Sequence, residues 1–308
     1  VKSLLKILII VLLGAACKTC FFAEKTSKPS DKSKLYFVTS FTILQDLVQK
    51  VAGSHLGKRI EVNTIVKINA DPHTYQPTPH DSKLIASADA VFINGLGFEG
   101  WIDRLISGSG FKGPIYTVSK KVKPRILASN VNLIDPHAWH SVKNVILYAQ
   151  EIVQAFIEID PEFAKDYKNN GDALIKKLRE LDIFVTKLFA KIPRNERQVV
   201  TTHDAFWYFG MDYGIKFLSP VGISTEAQAS AAVVGELINL IRNNKIKAVF
   251  IENLANPRLI EQIAMEANVK VGGTLYADSL SLPTEVAGDY FSMIRHNAQA
   301  ICQSLLKE

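Results

Sequence analysis

Three of the chain's seven histidines, and one aspartate, stand where β-rich runs give way to loops. His73 lies in ADPHTYQPTPHD after the run EVNTIV, His137 in IDPHAWH, and His203 in TTHDAFWYF directly after QVVTT. Asp278, in LYADSLS, follows the last β-rich run. A loop leaving a strand at the carboxyl edge of a parallel sheet is where α/β proteins bind ligands. Three neutral imidazoles and one carboxylate make a donor set for a divalent transition metal, with the carboxylate able to bind through one oxygen or both. Pro72 and Pro136 restrict the backbone just before His73 and His137, and Pro77 and Pro79 stiffen the loop after His73. Thiolates do not compete, because Cys17 and Cys20 belong to an N-terminal leader and Cys302, alone in the body, reads as a small core residue.

Other side chains near these four have weaker signals. His140 stands three residues beyond His137, a helical spacing that makes it a candidate ligand or supporting group. His80 reads as a cap or a solvent-facing residue, and His55 and His296 have no metal partner in sequence. Glu252, after KAVFI, is a candidate to hold a ligand imidazole in place. Trp139 is a candidate to line a cleft. Tyr75, Phe206, Trp207, Tyr208 and Phe209 either wall a dry site or pack the core, with Phe206 and Phe209 assigned to the core.

The elements that must position these residues follow an α/β pattern of two lobes with mainly parallel sheets, joined by one long rigid helix, the metal site lying in the cleft between them. From Lys34, β-rich runs alternate with helical stretches: KLYFVTS, a helix near 41–52, EVNTIV, a helix near 82–88, AVFING and PIYTVS, with a further helix near 142–157 after His137. The alternation restarts with QVVTTH, a helix near 205–213, IKFLSPV, a helix over 231–243, KAVFIEN, a helix over 257–267 and VKVGGTLY, and a helix over 290–306 closes the chain. Lobes over residues 35–159 and 194–308 are expected, with a linking helix over 160–193. Within that link Leu174, Leu178, Leu181, Val185 and Leu188 form one helical stripe. Asp160 and Pro161 suit its N-cap and first position. Gly171 is its expected weak point, at about 1 kcal/mol relative to Ala.

Residues 1–23 read as a secretory signal: Lys2 and Lys6, then an apolar run from Ile7 to Ala16, which is shorter than the roughly 20 residues needed to span a bilayer. Gly14, Ala15 and Ala16 before Cys17 suggest a lipoprotein signal ending at residue 16, with simple cleavage near Ala23 as the alternative. Residues 24–34 then form a flexible polar leader. Either way the mature protein is expected outside the cytoplasm. The 308 residues are 47% hydrophobic and 21% charged, a globular composition, and the net charge of +6 is scattered, which argues against a nucleic-acid role.

With DPHTYQPTPHD, DPHAWH, HDAFWYFGMDYG, ISTEAQASAAVVGELI, VFIEN and LYADSLS in that order, nearly the whole chain after the signal resembles the bacterial zinc/manganese solute-binding proteins of ABC transporters, the TroA-like or ZnuA-like group. The resemblance implies two α/β lobes joined by a long helix, one metal at their interface held by His73, His137, His203 and Asp278, and delivery to a membrane permease driven by a cytoplasmic ATPase. A monomer is expected. Two departures stand out: His140 and Ser141 replace the usual Leu and Asp or Asn after Asp-Pro-His-Ala-Trp, and Gln228, Ala229 and Ser230 replace Glu-Pro-Ser.

Many zinc-dedicated members carry a long loop rich in His, Asp and Glu after the first ligand, whereas the interval from His73 to His137 holds only His80 and no acidic tract. That favours Mn²⁺ as the transported ion. Zn²⁺ is expected to bind at least as readily in vitro, since divalent affinity rises toward the end of the first transition row. A zinc-specific uptake protein is the alternative. A chelate-binding protein and a zinc hydrolase are further rivals, the latter weakened because no HExxH accompanies the histidines. An adhesive face has no readable signature. Movement on loading is expected to be small and confined to loops near Asp278.

Overall fold

The computed structural model describes residues 33–127 and 130–306; the signal, Cys17, Cys20 and most of the leader lie outside the described residues. The chain begins with β1 (Leu35–Thr39), α1 (Thr42–Ala52), β2 (Ile60–Thr64), α2 (Pro79–Ala86), β3 (Ala90–Ile93), α3 (Ile102–Ser109) and β4 (Ile115–Thr117). A two-stranded hairpin of β5 (Ile126–Leu127) and β6 (Asn130–Ile134) leads into α4 (Val142–Ile159) and the long α5 (Ala164–Phe189). Then come β7 (Gln198–Val200), α6 (Trp207–Tyr213), β8 (Lys216–Leu218), α7 (Ala231–Asn243), β9 (Ala248–Glu252), α8 (Arg258–Ala267), β10 (Lys270–Leu275) and α9 (Tyr290–Leu306).

Both four-stranded sheets are parallel, in the orders β2-β1-β3-β4 and β8-β7-β9-β10, so the second repeats the first strand for strand. In each, the connection reverses direction between the first and third strands, and the crevice beyond the strand ends at that reversal is the natural ligand position. The sheets form because short β-branched and aromatic runs are buried, as at Phe37 and Val38 in β1 and Val249 and Phe250 in β9. Helices follow the apolar period: α1 buries Ile43, Leu44, Leu47, Val48 and Val51.

Two elements are absent from the sequence reading. The stretch that forms α3 contains Gly108 and is flanked by Gly97, Gly100 and Gly110, which mask its short amphipathic pattern. The β5–β6 hairpin is antiparallel, so His137 does not leave a parallel strand as expected but follows the end of that hairpin.

α5 buries Tyr167, Gly171, Leu174, Leu178, Leu181, Val185 and Phe189, packing against α4, α1, α9 and α6. A 3-10 turn over Pro161–Phe163 precedes it. Asp160 does not cap that turn with its side chain; its carboxylate pairs with Arg59 at 2.8 Å and accepts from the Tyr167 hydroxyl at 2.7 Å. One hydrophobic cluster runs from β1 through α4 and α5 to Phe250 of β9, Leu275 of β10 and Ile301 of α9, while a smaller one under α7 and α8 covers the other face of the second sheet. The two sheets thus share a core rather than meeting only at a link. Among the described residues no helix is long and apolar enough to cross a membrane.

Gly171 is where α5 touches α4: a Cβ there would stand 2.2 Å from Val153 Cγ2. Val is stiff at χ1 in a helix, so the contact is not relieved cheaply. Gly171→Ala should therefore lower stability by about 1–3 kcal/mol, the usual cost of overpacking, instead of adding the roughly 1 kcal/mol that helix propensity alone gives. Urea unfolding of Gly171→Ala, with Val153→Ala added to restore the space, measures the difference; an increase in stability for the single variant refutes the close packing.

Candidate metal centre

The loops that carry His73 and His137 are built alike. In each Asp-Pro-His segment the aspartate accepts from the amide of the histidine two residues on: Asp71 from His73 at 2.9 Å and Asp135 from His137 at 3.0 Å. The proline between them has no N–H, and its carbonyl is held from the first lobe. Trp101 Nε1 donates to Pro72 at 2.9 Å, and Asn94 Nδ2 donates to Pro136 at 3.0 Å. Asn94 is itself placed by the Tyr148 hydroxyl, and its amide donates to the buried Glu99, which also accepts from Ser40. After His73, Pro79 opens α2 behind a capping box between Thr78 and Asp81, and Tyr75 donates to the same Asp81 at 2.9 Å.

His203 leaves β7 and Glu252 ends β9, the two strands flanking the reversal point of the second sheet. Glu252 accepts from the amides of Thr202 at 2.8 Å and His203 at 3.0 Å, and the same carboxylate takes a short hydrogen bond from His203 Nδ1. Asp278 sits beyond β10 in a loop tied to the first lobe. Trp139 Nε1 donates to Ala277 at 2.9 Å, and the Leu280 amide donates to Thr42 at 3.0 Å.

These supports bring His73, His137, His203 and Asp278 together, one ligand atom from each lying within 4.8 Å of the others. His137 Nε2 is 3.2 Å from His73 Nε2 and 3.3 Å from His203 Nε2. A metal with nitrogens at about 2.0–2.1 Å in tetrahedral array has ligand–ligand edges of about 3.3 Å, so the spacing suits one small ion. The Asp278 oxygens stand 3.4 Å from His203 Nε2, 3.6 Å from His137 Nε2 and 3.7 Å from His73 Nε2. Asp278 Oδ1 is buried and has no hydrogen-bond partner, a state that a cation relieves.

Asp135 accepts from His137 Nδ1 at 2.8 Å, and Glu252 does the same for His203. With Nδ1–H claimed by a carboxylate, each ring turns the lone pair of Nε2 to the centre. Burial pushes His73 down to about 4, so it is neutral and ready to bind at neutral pH. Burial would also lower His203, but Glu252 and Asp278 together outweigh it and hold the ring well above its ordinary value. Burial raises the Asp278 carboxyl, yet His203 and the other two imidazoles hold it far below the usual carboxylate range. Glu252 and Asp278 thus favour a proton on His203, which a bound cation would displace.

Of the weaker candidates, Glu252 supports a ligand imidazole as expected. Trp139 is fully buried behind His137, ring centroids 5.3 Å apart, and is a wall rather than a cleft surface. His140 does not join the cluster: it is buried beside Phe206, ring centroids 4.4 Å apart, with both nitrogens unpartnered, and burial pushes it down to about 3. His80 is exposed, His55 pairs with Asp166 at 2.9 Å, and His296 bonds Thr274 at 2.9 Å. Phe206 and Phe209 are core, as expected. Ser141 and Ser230, at the two departures, both cap helices, α4 and α7. Sequence reasoning missed Asp135, Asp71 and Phe98, whose ring lies edge-on to His73 at 5.0 Å. The repeated aspartate two residues before each histidine was the available signal for the first two. Cavities of about 520 Å³ and 480 Å³ border His203 and His73 on either side of the loop 221–229.

Compared with known proteins, residues 37–304 match the family described as "Zinc-uptake complex component A periplasmic". The chain is 30% identical to the manganese-binding lipoprotein MntA of Halalkalibacterium halodurans, over 97% of this chain and 96% of that one. It is 33% identical to the iron-binding protein YfeA of Yersinia pestis, over 96% and 93%. Among solved structures, the periplasmic zinc-binding protein TroA of Treponema pallidum superposes with a TM-score of 0.84 at 26% identity, covering 89% of this chain and all of that one.

A proton on His203 must leave when a metal arrives, so affinity should rise with pH across neutrality and fall as the imidazoles protonate below about 6. Calorimetric titration with Zn²⁺ at pH 7 in buffers of differing ionisation enthalpy should show about one proton released per ion. Glu252→Gln should bind about 10–100-fold more weakly and release fewer protons. Affinity independent of pH would contradict a centre dominated by histidine.

Proposed function

Because the chain belongs to the family of periplasmic zinc-uptake components, we propose that it is the extracytoplasmic solute-binding component of an ABC importer, capturing a divalent transition metal and passing it to a membrane permease. The convergence of three imidazole nitrogens and one carboxylate within 4.8 Å carries this reading. His73, His137, His203 and Asp278 are the proposed ligands, and Glu252 and Trp139 support them. The proposed body consists of a lobe over residues 35–159, a linking helix over 160–193 and a lobe over 194–308. The chain acts as a monomer, secreted through residues 1–23 and, if processed after residue 16, lipid-anchored at Cys17. Binding and release, not bond-making, is its work.

Mn²⁺ is the proposed cargo. The absence of a long metal-collecting loop between His73 and His137 supports it, as does the manganese-binding relative. The nitrogen spacing near a tetrahedral edge favours a second reading, a zinc-dedicated carrier, since Zn²⁺ prefers four ligands of this kind. In both, metal entering between the lobes recruits His203 against His73, His137 and Asp278, and the permease recognises the filled form.

Elemental mass spectrometry of protein purified without chelators, followed by competitive Mn²⁺ and Zn²⁺ titration, tests the proposal. One equivalent of metal is expected. His203→Ala should weaken binding by more than about 100-fold, exceeding the loss of an outer support. Stoichiometric Zn²⁺ that Mn²⁺ fails to replace during growth in manganese supports the zinc reading, and no bound metal with a silent titration of apo protein sinks both. Solution scattering should show only a small change in radius on loading, because the lobes share a core.

A further inference from the structure

The two aspartates of the Asp-Pro-His segments each use one oxygen on their own histidine and the other on a link to the second lobe, direct for Asp71 and through Arg125 for Asp135. Asp71 Oδ1 accepts from the His73 amide, and Asp71 Oδ2 accepts from the Thr225 hydroxyl at 2.7 Å. Asp135 Oδ1 accepts from the amide and Nδ1 of His137, and Asp135 Oδ2 accepts from Arg125 Nη1 at 3.0 Å. The other end of that guanidinium, Nη2, reaches Asp204 Oδ2 at 2.8 Å. Thr225 lies in the loop after β8, and Asp204 directly follows His203. Each first-lobe histidine is therefore wired through its own aspartate to the lobe that carries His203.

We propose that Asp71 and Asp135 are positioning residues that couple the approach of the second lobe to the orientation of His73 and His137, with Thr225 and the Arg125–Asp204 pair as two separate latches. The proposal rests on the metal reading above. Neither latch touches the ligand atoms, so neither changes the donor set; both act on how long the closed arrangement lasts. Arg125 is well suited to the work. Its fork bonds a carboxylate at each end, its guanidinium lies over the Trp207 ring at 5.0 Å, and its amide donates to Tyr208, whose hydroxyl donates to the Asp135 carbonyl. The second latch is anchored as well, because the Asp204 amide donates to the Gly222 carbonyl, in the loop that carries Thr225. The sequence alone conceals this arrangement: Asp204 and Thr225 fall in motifs that carry the resemblance, but no spacing pairs them with Arg125 or Asp71.

A chase of Mn²⁺-loaded full-length protein with excess EDTA, read as the metal release rate, separates the latches from ordinary structural support. Thr225→Val and Asp204→Asn should each speed release roughly tenfold, as expected for losing one partly buried polar contact. Arg125→Gln combined with Asp204→Asn should release no faster than Arg125→Gln alone, because both break one latch. Thr225→Val combined with Asp204→Asn should multiply the two single effects, because the two side chains share no hydrogen-bond partner and neither change removes the Asp204–Gly222 backbone bond. Thermal unfolding of each apo variant is followed alongside. Release at the wild-type rate in either single variant, with only apo stability lowered, overturns the coupling, as does a Thr225→Val/Asp204→Asn pair no faster than its faster parent. Wild-type protein that holds no Mn²⁺ or Zn²⁺ at the outset removes the metal reading and the coupling with it, whereas a loaded wild type with indifferent variants removes the coupling alone.

Discussion

The structure depends on holding four electron-pair donors against one another where the protein buries them. His73, His137, His203 and Asp278 converge with separations of 3.2–3.7 Å among their facing atoms, and all four side chains are almost fully buried. Left without a cation, such a cluster is unfavourable: one carboxylate oxygen has no partner, and lone pairs face lone pairs. A proton on His203 is the partial remedy available to the chain alone, and a divalent ion is the complete one. The outward-facing nitrogens make the difference. Asp135 and Glu252 claim Nδ1 of two rings, and a ring so held cannot swing away to find a better partner.

Meeting that constraint requires backbone that does not yield, and the fold supplies it by using the same parts twice. Both sheets have the same strand order, so each offers a reversal point where loops diverge and side chains converge. In the second lobe that point is occupied by His203 and Glu252 themselves. In the first it is occupied by Glu99, Ser40 and Asn94, which bind no metal but hold the proline carbonyl ahead of His137, and Trp101 does the same ahead of His73. Proline contributes twice here: its ring limits the chain, and its carbonyl accepts from a buried first-lobe side chain, Trp101 at Pro72 and Asn94 at Pro136.

Much of this was legible in the sequence, for reasons that differ from residue to residue. The four donors could be read because histidines at the ends of β-rich runs are a conspicuous placement and because two share the Asp-Pro-His pattern. Glu252 could be read because it ends a strand. The helices over 231–243 and 290–306 were legible because their apolar period is unbroken, and the helix near α3 was not because glycines interrupt it. His140 shows the limit of spacing as a guide. Three residues from His137, it ends a 3-10 turn that carries its ring to Phe206 instead of to the metal centre. Gly171 shows the limit of propensity: read along α5 it is a weakness, and read across to Val153 it is the residue that lets two helices meet. Asp71 and Asp135 needed the third dimension, since their second oxygens are used by groups 154 and 10 residues away.

The same contacts decide which parts can move when the ion enters or leaves. Asp278 belongs by chain position to the second lobe, yet Trp139 and Thr42 of the first hold its loop on both sides, at Ala277 and Leu280. Displacing that loop by itself breaks two buried hydrogen bonds, and the shared core behind α5 and α9 resists a wider separation of the sheets. The loop 221–229 is differently placed. Open volumes lie on both of its faces, and it pairs with the backbone of His203 at Val221. Three ligands therefore stand on one body, while the fourth stands beside a loop with room to shift. The room for an ion to enter lies at this short segment, whereas the loop at Asp278, where the sequence reading placed the movement, is held on both sides.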